Sequence, residues 1–190
     1  MKELIVLAFN AFLVQNIILT QFLGICSFLG VSNKRSSAIG MGMAVLFVIT
    51  FSSMAVWGIY YGVLYPDFTF MRTIVFILVI ASMVQVLEMF IKKFFPPLYK
   101  ALGVYLPLIT TNCTVLGVAI LNIDKNFGFA EMVTFSIFTS LGYTVVIILF
   151  SYIRESIQRA PIPEGFKGIP VALIMASIMS LIFKGFVGMI

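Results

Sequence analysis

The chain holds two cysteines and no histidine in 190 residues. Each cysteine opens a copy of one hexapeptide. Residues 26–31 read Cys-Ser-Phe-Leu-Gly-Val, and residues 113–118 read Cys-Thr-Val-Leu-Gly-Val, almost half the chain away. A thiolate is a nucleophile and a soft metal ligand, suited to iron–sulfur clusters, zinc and copper(I). Two thiolates at equivalent places in a repeat point to a pair that acts together. Two plainer readings stand beside this one. A cysteine in a membrane is most often a small apolar filler, and two whose Cα atoms lie within about 7 Å can close a disulfide. Without histidine, Ser-His-Asp hydrolysis and His-zinc chemistry are excluded. Two cysteines also cannot close a tetrahedral metal site or hold a cluster that needs four thiolates. If the ligand is a cluster, a partner must supply the rest.

Lipid is the solvent around most of this chain. It is 62% hydrophobic and 10% charged, with a mean hydropathy of +1.15, more apolar surface than a soluble core of this size needs. A span takes about 20 mostly apolar residues. Six segments qualify, at about 4–25, 39–62, 70–91, 101–121, 129–152 and 169–189. Long continuous runs of this kind must be helices, so the expected class is an all-α integral membrane protein. The first run is interrupted by Gln15, Asn16 and Gln21 and reads as a retained span, not a cleaved signal. The net charge of +5 is no sign of nucleic-acid binding, because the basic residues are few and sit between apolar runs.

Those basic residues set an orientation. Lys34, Arg35, Lys92, Lys93, Lys100, Arg154, Arg159 and Lys167 fall in loops 1–2, 3–4 and 5–6; Lys2, Arg72, Lys125 and Lys184 fall on the other side. The richer side should be cytoplasmic, with both termini outside. Pro96-Pro97 then divides a single membrane domain (1–190) into repeats 1–95 and 96–190. Three spans in each make the second repeat enter from the opposite face. Inverted repeats place a working site near the bilayer midplane, between the halves.

Both cysteine segments are poor candidates for uninterrupted helix. Gly24 and Gly30 bracket Cys26, and Pro107 and Thr110-Thr111-Asn112 precede Cys113. Spans one and four are expected to break near the cysteines. A helix that restarts there has free N–H groups and a dipole that favour a thiolate. Elsewhere, Glu88 lies four residues before Lys92, an ordinary helix pair, with a cation-pathway carboxylate as the alternative. Gln15, Asn16, Gln21, Gln85 and Asn112 suit interhelical hydrogen bonds. Asp124 and Glu131 sit at the outer edge, as solvated loop residues or attractors of cations. Ala38-x-x-x-Gly42 and Gly58-x-x-x-Gly62 read as close-packing faces, within the protein or toward a partner. Asn112-Cys-Thr matches a glycosylation sequon but lies inside a span.

Several segments resemble a known family: Met41-Gly42-Met43, Gln85-Val-Leu-Glu88-Met89, Phe95-Pro96-Pro97-Leu98-Tyr99, Leu106-Pro107-Leu108-Ile109-Thr110-Thr111-Asn112-Cys113 and Ile153-Arg154-Glu155. The chain is similar over its whole length to the six-span subunits shared by Rnf ion-translocating oxidoreductases and the sodium-pumping NADH:quinone reductase. External termini favour the branch of the Rnf A-type and reductase E-type subunits over the oppositely inserted sister branch. The resemblance implies an electron-transfer subunit of the bacterial cytoplasmic (inner) membrane. Its family lies beside a sister six-span subunit (Rnf E type), the two jointly holding a [2Fe-2S] cluster with two cysteines each. Carried over by motif, the ligands here are Cys26 and Cys113, and backbone amides around Gly24, Gly30, Asn112 and Gly117 would hydrogen-bond the cluster. FMN, riboflavin and further Fe–S clusters are implied only on other subunits, those of the B, C, D and G types. The implied overall reaction couples ferredoxin:NAD oxidoreduction to Na+ or H+ translocation. The rival readings are a secondary transporter or channel with structural cysteines, and a membrane thiol–disulfide carrier.

Overall fold

A computed structural model describes residues 2–14, 16–32, 35–64, 71–94, 108–109, 111–158, 161 and 163–187. Gln15, Lys34, the Phe95–Tyr99 motif with its proline pair, Lys100, Pro107, Thr110 and Arg159 lie outside them. The described residues are helical and turn segments, with no strand among them. The helices are α1 (Lys2–Phe9), α2 (Ile17–Gln21), α3 (Ile25–Val31), α4 (Arg35–Ile59), α5 (Arg72–Phe94), α6 (Cys113–Asp124), α7 (Phe129–Gln158) and α8 (Ile169–Val187). Wider π-type turns extend α1 over Asn10–Val14 and α4 over Tyr60–Leu64.

Two helical stretches, Arg35–Gly62 and Phe129–Ile157, are long and apolar enough to cross a membrane; shorter apolar helices cover Arg72–Val86, Cys113–Asp124 and Ile169–Gly185. The ends of α4 fit such a crossing. Arg35 pairs with Glu155 at 2.5 Å and lies 4.3 Å from the Tyr152 ring centroid. At the other end, Trp57 Nε1 donates to Phe127 O at 3.2 Å, and nearby Arg72 pairs with Asp124 at 2.6 Å. From Arg35 to Trp57 the helix rises about 33 Å at about 1.5 Å per residue, close to the ~30 Å of a hydrocarbon core. Charge and indole therefore flank an apolar run of membrane length, as interfacial residues do.

Among the described residues, the α4–α7 contact is the most extensive. Gly42 makes it tight. A Cβ there would lie 2.4 Å from Thr144 Cγ2, and Thr144 Oγ1 donates to Gly42 O at 3.2 Å. The Ala38–Gly42 face is thus a packing face inside this chain: Ala38 and Gly42 are both buried. Gly58 and Gly62 differ, since both are exposed and a Cβ on either would meet nothing within 4 Å. The π-type turn after α1 crosses α7 at Gly142, where a Cβ would lie 2.7 Å from Phe12 O. One buried cluster runs from Ala11 and Ile17 through Phe28, Met41, Phe76, Val115 and Tyr143 to Met179. The cysteine segments rest on it.

Candidate metal centre

The turn before Cys26 is built by left-handed backbone. α2 ends where Phe22 takes φ 55°, and the N–H groups of Phe22 and Leu23 both reach Ile17 O. Gly24 follows at φ 85° and starts α3, which places Cys26 in its first turn. A residue with a Cβ is strained in this region, so glycine fits. The turn before Cys113 is built by a side chain. Asn112 Oδ1 accepts from Thr114 N at 3.0 Å, capping α6, whose first residue is Cys113. Both sulfurs therefore stand in the first turn of a helix, where N–H groups and dipole favour negative charge.

The two turns lean on each other. Thr114 Oγ1 donates to Leu23 O at 3.4 Å. A Cβ on Gly24 would lie 2.1 Å from Thr114 Oγ1 and 3.3 Å from Asn112 Oδ1. Gly117 is buried beneath Leu23, whose Cδ2 would be 2.2 Å from an added Cβ. Gly30 is exposed and passes close to Leu108. The result is that Cys26 Sγ and Cys113 Sγ lie 3.7 Å apart, both at the protein surface.

That spacing carries chemical information. A disulfide needs about 2.05 Å, so these are two thiols. Two sulfurs bound tetrahedrally to one metal at about 2.3 Å would be separated by about 3.8 Å. The pair fits one edge of such a site. Among the described residues, no group of three or more His, Cys, Asp and Glu gathers to complete it. The chain offers two soft ligands on an open face.

Three residues support the pair through contacts that no local pattern in the sequence announces. Tyr143, from the middle of α7, is fully buried, and its hydroxyl lies 3.0 Å from Ser27 Oγ. Ser27 Oγ also donates to Gly24 O at 2.9 Å. Arg154 is 8% exposed and donates to Leu29 O at 2.7 Å and Ser32 Oγ at 2.8 Å. It binds the C-terminal end of α3, where helices leave carbonyls unsatisfied and favour a cation. On the other side of Cys113, an open cleft of about 630 Å³ between α5 and α6 is lined by Gln85, Glu88, Thr111, Asn112 and Cys113 among others.

Among the described polar residues expected to bond between helices, two act as helix caps and two are exposed. Asn16 and Asn112 use their side-chain oxygens to cap α2 and α6. Gln21 and Gln85 are exposed. Asp124 pairs with Arg72, and Glu131 accepts from Gly128 N at 3.0 Å.

Comparison with known proteins shows the family. Residues 4–190 match the family model described as Rnf-Nqr subunit, membrane protein. The chain is 49% identical over 190 residues to the A-type subunit of the ion-translocating oxidoreductase complex of Azoarcus sp. (strain BH72), covering 100% of this chain and 98% of that one. It is 46% identical over 191 residues to the protein of the same name from Syntrophotalea carbinolica, covering 100% and 99%. To the A-type subunit of the Na(+)-translocating ferredoxin:NAD(+) oxidoreductase complex of Acetobacterium woodii it is 47% identical over 187 residues, covering 98% and 97%.

Proposed function

As a member of the Rnf-Nqr family of membrane subunits, to which this chain belongs, the protein serves, we propose, as the electron-transfer subunit of an Rnf-type ion-translocating ferredoxin:NAD oxidoreductase. The observation that carries the reading is the 3.7 Å approach of Cys26 and Cys113 at two helix starts. The names and full-length similarity of the relatives support the choice of complex. The chain is then inert as a redox centre alone and works within an assembly.

Cys26 and Cys113 would provide two thiolate ligands to a [2Fe-2S] cluster, and a sister six-span subunit would provide the other two. When bound, such a cluster supplies one-electron transfer within the membrane. The rest of the work falls to this chain's own residues. Gly24 and Asn112 shape the turns that bring the sulfurs to one face. Backbone N–H groups at the starts of α3 and α6 would offset the negative charge of bound thiolates. Thr114, by bonding Leu23 O, keeps the turns in register. The open face at both sulfurs is where the partner's ligands would enter. Six spans in two inverted triplets, with external termini in the bacterial inner membrane, would put this face near the midplane. The charge distribution and the flanked apolar run of α4 support that topology.

The test is elemental and spectroscopic. Purified complex should contain iron and acid-labile sulfide assignable to this subunit pair. Cys26→Ser or Cys113→Ser should abolish that cluster's paramagnetic signal. A full signal in either variant overturns the ligand assignment. A transporter or thiol carrier would show no iron at this site.

A further inference from the structure

Tyr143 reaches the turn that carries Cys26 from a third element, α7. Ser27 follows Cys26 in the sequence, and the Tyr143 hydroxyl lies 3.0 Å from Ser27 Oγ. The direction of this bond can be worked out. Ser27 has a single hydroxyl proton, and it is directed at Gly24 O, 2.9 Å away. Tyr143 must then be the donor to Ser27. Asn112 Oδ1 accepts from Thr114 N, and its buried Nδ2 makes no hydrogen bond. The chain of donors runs from Tyr143 through Ser27 to the carbonyl of Gly24.

We propose that Tyr143 is a positioning residue: its hydroxyl ties the Gly24–Ser27 turn to α7, fixing the Cys26 side of the Cys26–Cys113 pair and the polarity around what the thiols bind. The proposal rests on the reading of the thiols as ligands. A phenyl ring could fill the same buried volume, so packing alone does not call for the hydroxyl. A buried hydroxyl that orients a neighbouring dipole acts through the low dielectric around it. Its removal leaves Ser27 without a donor.

The experiment uses the intact complex. Iron and acid-labile sulfide, the paramagnetic spectrum and the midpoint potential of the cluster are measured for the unsubstituted protein, Tyr143→Phe, Ser27→Ala and the double variant. Tyr143→Phe should keep the iron and move the reduction equilibrium about tenfold, which is about 59 mV for one electron. Ser27→Ala should move it in the same sense. The double variant should shift no further than the larger single one, because the two residues act in one network. Should Tyr143→Phe fail to assemble, Ser27→Ala carries the test, since it removes the same bond and leaves the phenol in place. An unchanged spectrum and potential in an iron-replete single variant overturns the proposal, as does simple addition of the two shifts. Absence of iron from the unsubstituted complex would instead sink the ligand reading beneath it.

Discussion

Gly24 and Thr114 meet across the two halves of the sequence so closely that no side chain fits between them. A Cβ on Gly24 would stand 2.1 Å from Thr114 Oγ1, which itself donates to Leu23 O. Gly24→Ala therefore meets two penalties, a clash and a left-handed φ of 85°. The backbone term alone is about 1 kcal/mol or more. The expected outcome is loss of the Cys26–Cys113 spacing, read as a fall in bound iron in the purified complex. Adding Thr114→Ala removes the clash, but neither the strain nor the cost of losing the Thr114–Leu23 bond. The double variant should recover part of the iron, and full recovery would show that φ at this position is unimportant.

Arg154 makes a second long-range support. Its guanidinium binds Leu29 O and Ser32 Oγ at the far end of the helix that carries Cys26. Hydrogen bonds from a charged donor are worth about 1.5–3 kcal/mol each, and a buried acceptor left bare adds to the loss. Arg154→Met should lower the thermal inactivation temperature of the complex by several degrees. Arg154→Lys keeps the charge and loses the fork, so it should fall between. Equal stability of all three would mean that α3 is held by packing alone.

The glycine pairs show where sequence reading stops. Ala38-x-x-x-Gly42 and Gly58-x-x-x-Gly62 look alike as patterns, yet a Cβ on Gly42 meets Thr144 at 2.4 Å and one on Gly58 meets nothing. Spacing reveals that a helix face is smooth; it does not reveal what lies against it. Gly42→Ala should cost about 1–3 kcal/mol, the range for overpacking. Gly58→Ala should be neutral or slightly stabilising in the isolated chain, through lost freedom of the unfolded state. Chemical denaturation of the detergent-solubilised protein separates the two. A loss at Gly58 only in the assembled complex would mark that face as a contact with another subunit.

The same limit applies at the candidate metal centre. Cys26 and Cys113 were legible because a repeated hexapeptide is a local pattern, and Gly24 because glycine beside a break has a backbone meaning. Asn112 was legible as a polar residue, although its use is a helix cap. Tyr143, Arg154 and the role of Ser27 were not, because each contact joins segments more than a hundred residues apart. Nothing in the neighbouring sequence distinguishes Tyr143 from an interfacial tyrosine. Its meaning comes from burial and from the turn it meets through Ser27.

Removal of metal should expose the intrinsic reactivity of the pair. Thiols 3.7 Å apart need to close only to about 2.05 Å to form a disulfide. Complex stripped of iron and treated with a thiol-specific oxidant should gain an intramolecular Cys26–Cys113 bond, seen as two cysteines that resist alkylation until reduced. Iron-replete complex should resist the same treatment. Rapid disulfide formation in both forms would show that the thiols are not occupied as ligands.

Glu88 is half-buried on α5, in the cleft that also exposes Cys113 and Gln85. The helix pair with Lys92 that the spacing allows accounts for its charge without requiring that it face a cavity. The cleft gives the carboxylate a second use. A cation entering there would meet an acid and several oxygen-bearing side chains on the way to the thiol. Negative charge added at the thiol pair would strengthen that attraction in a medium of low dielectric. Glu88→Gln preserves shape and removes the charge. It should leave iron content and spectrum intact, while raising the cation concentration needed for half-maximal turnover of the complex several-fold. Unchanged cation dependence would assign Glu88 to its helix partner alone. A lost cluster signal would assign it instead to the structure of the site, because a carboxylate serving only as a waypoint has no part in holding the sulfurs.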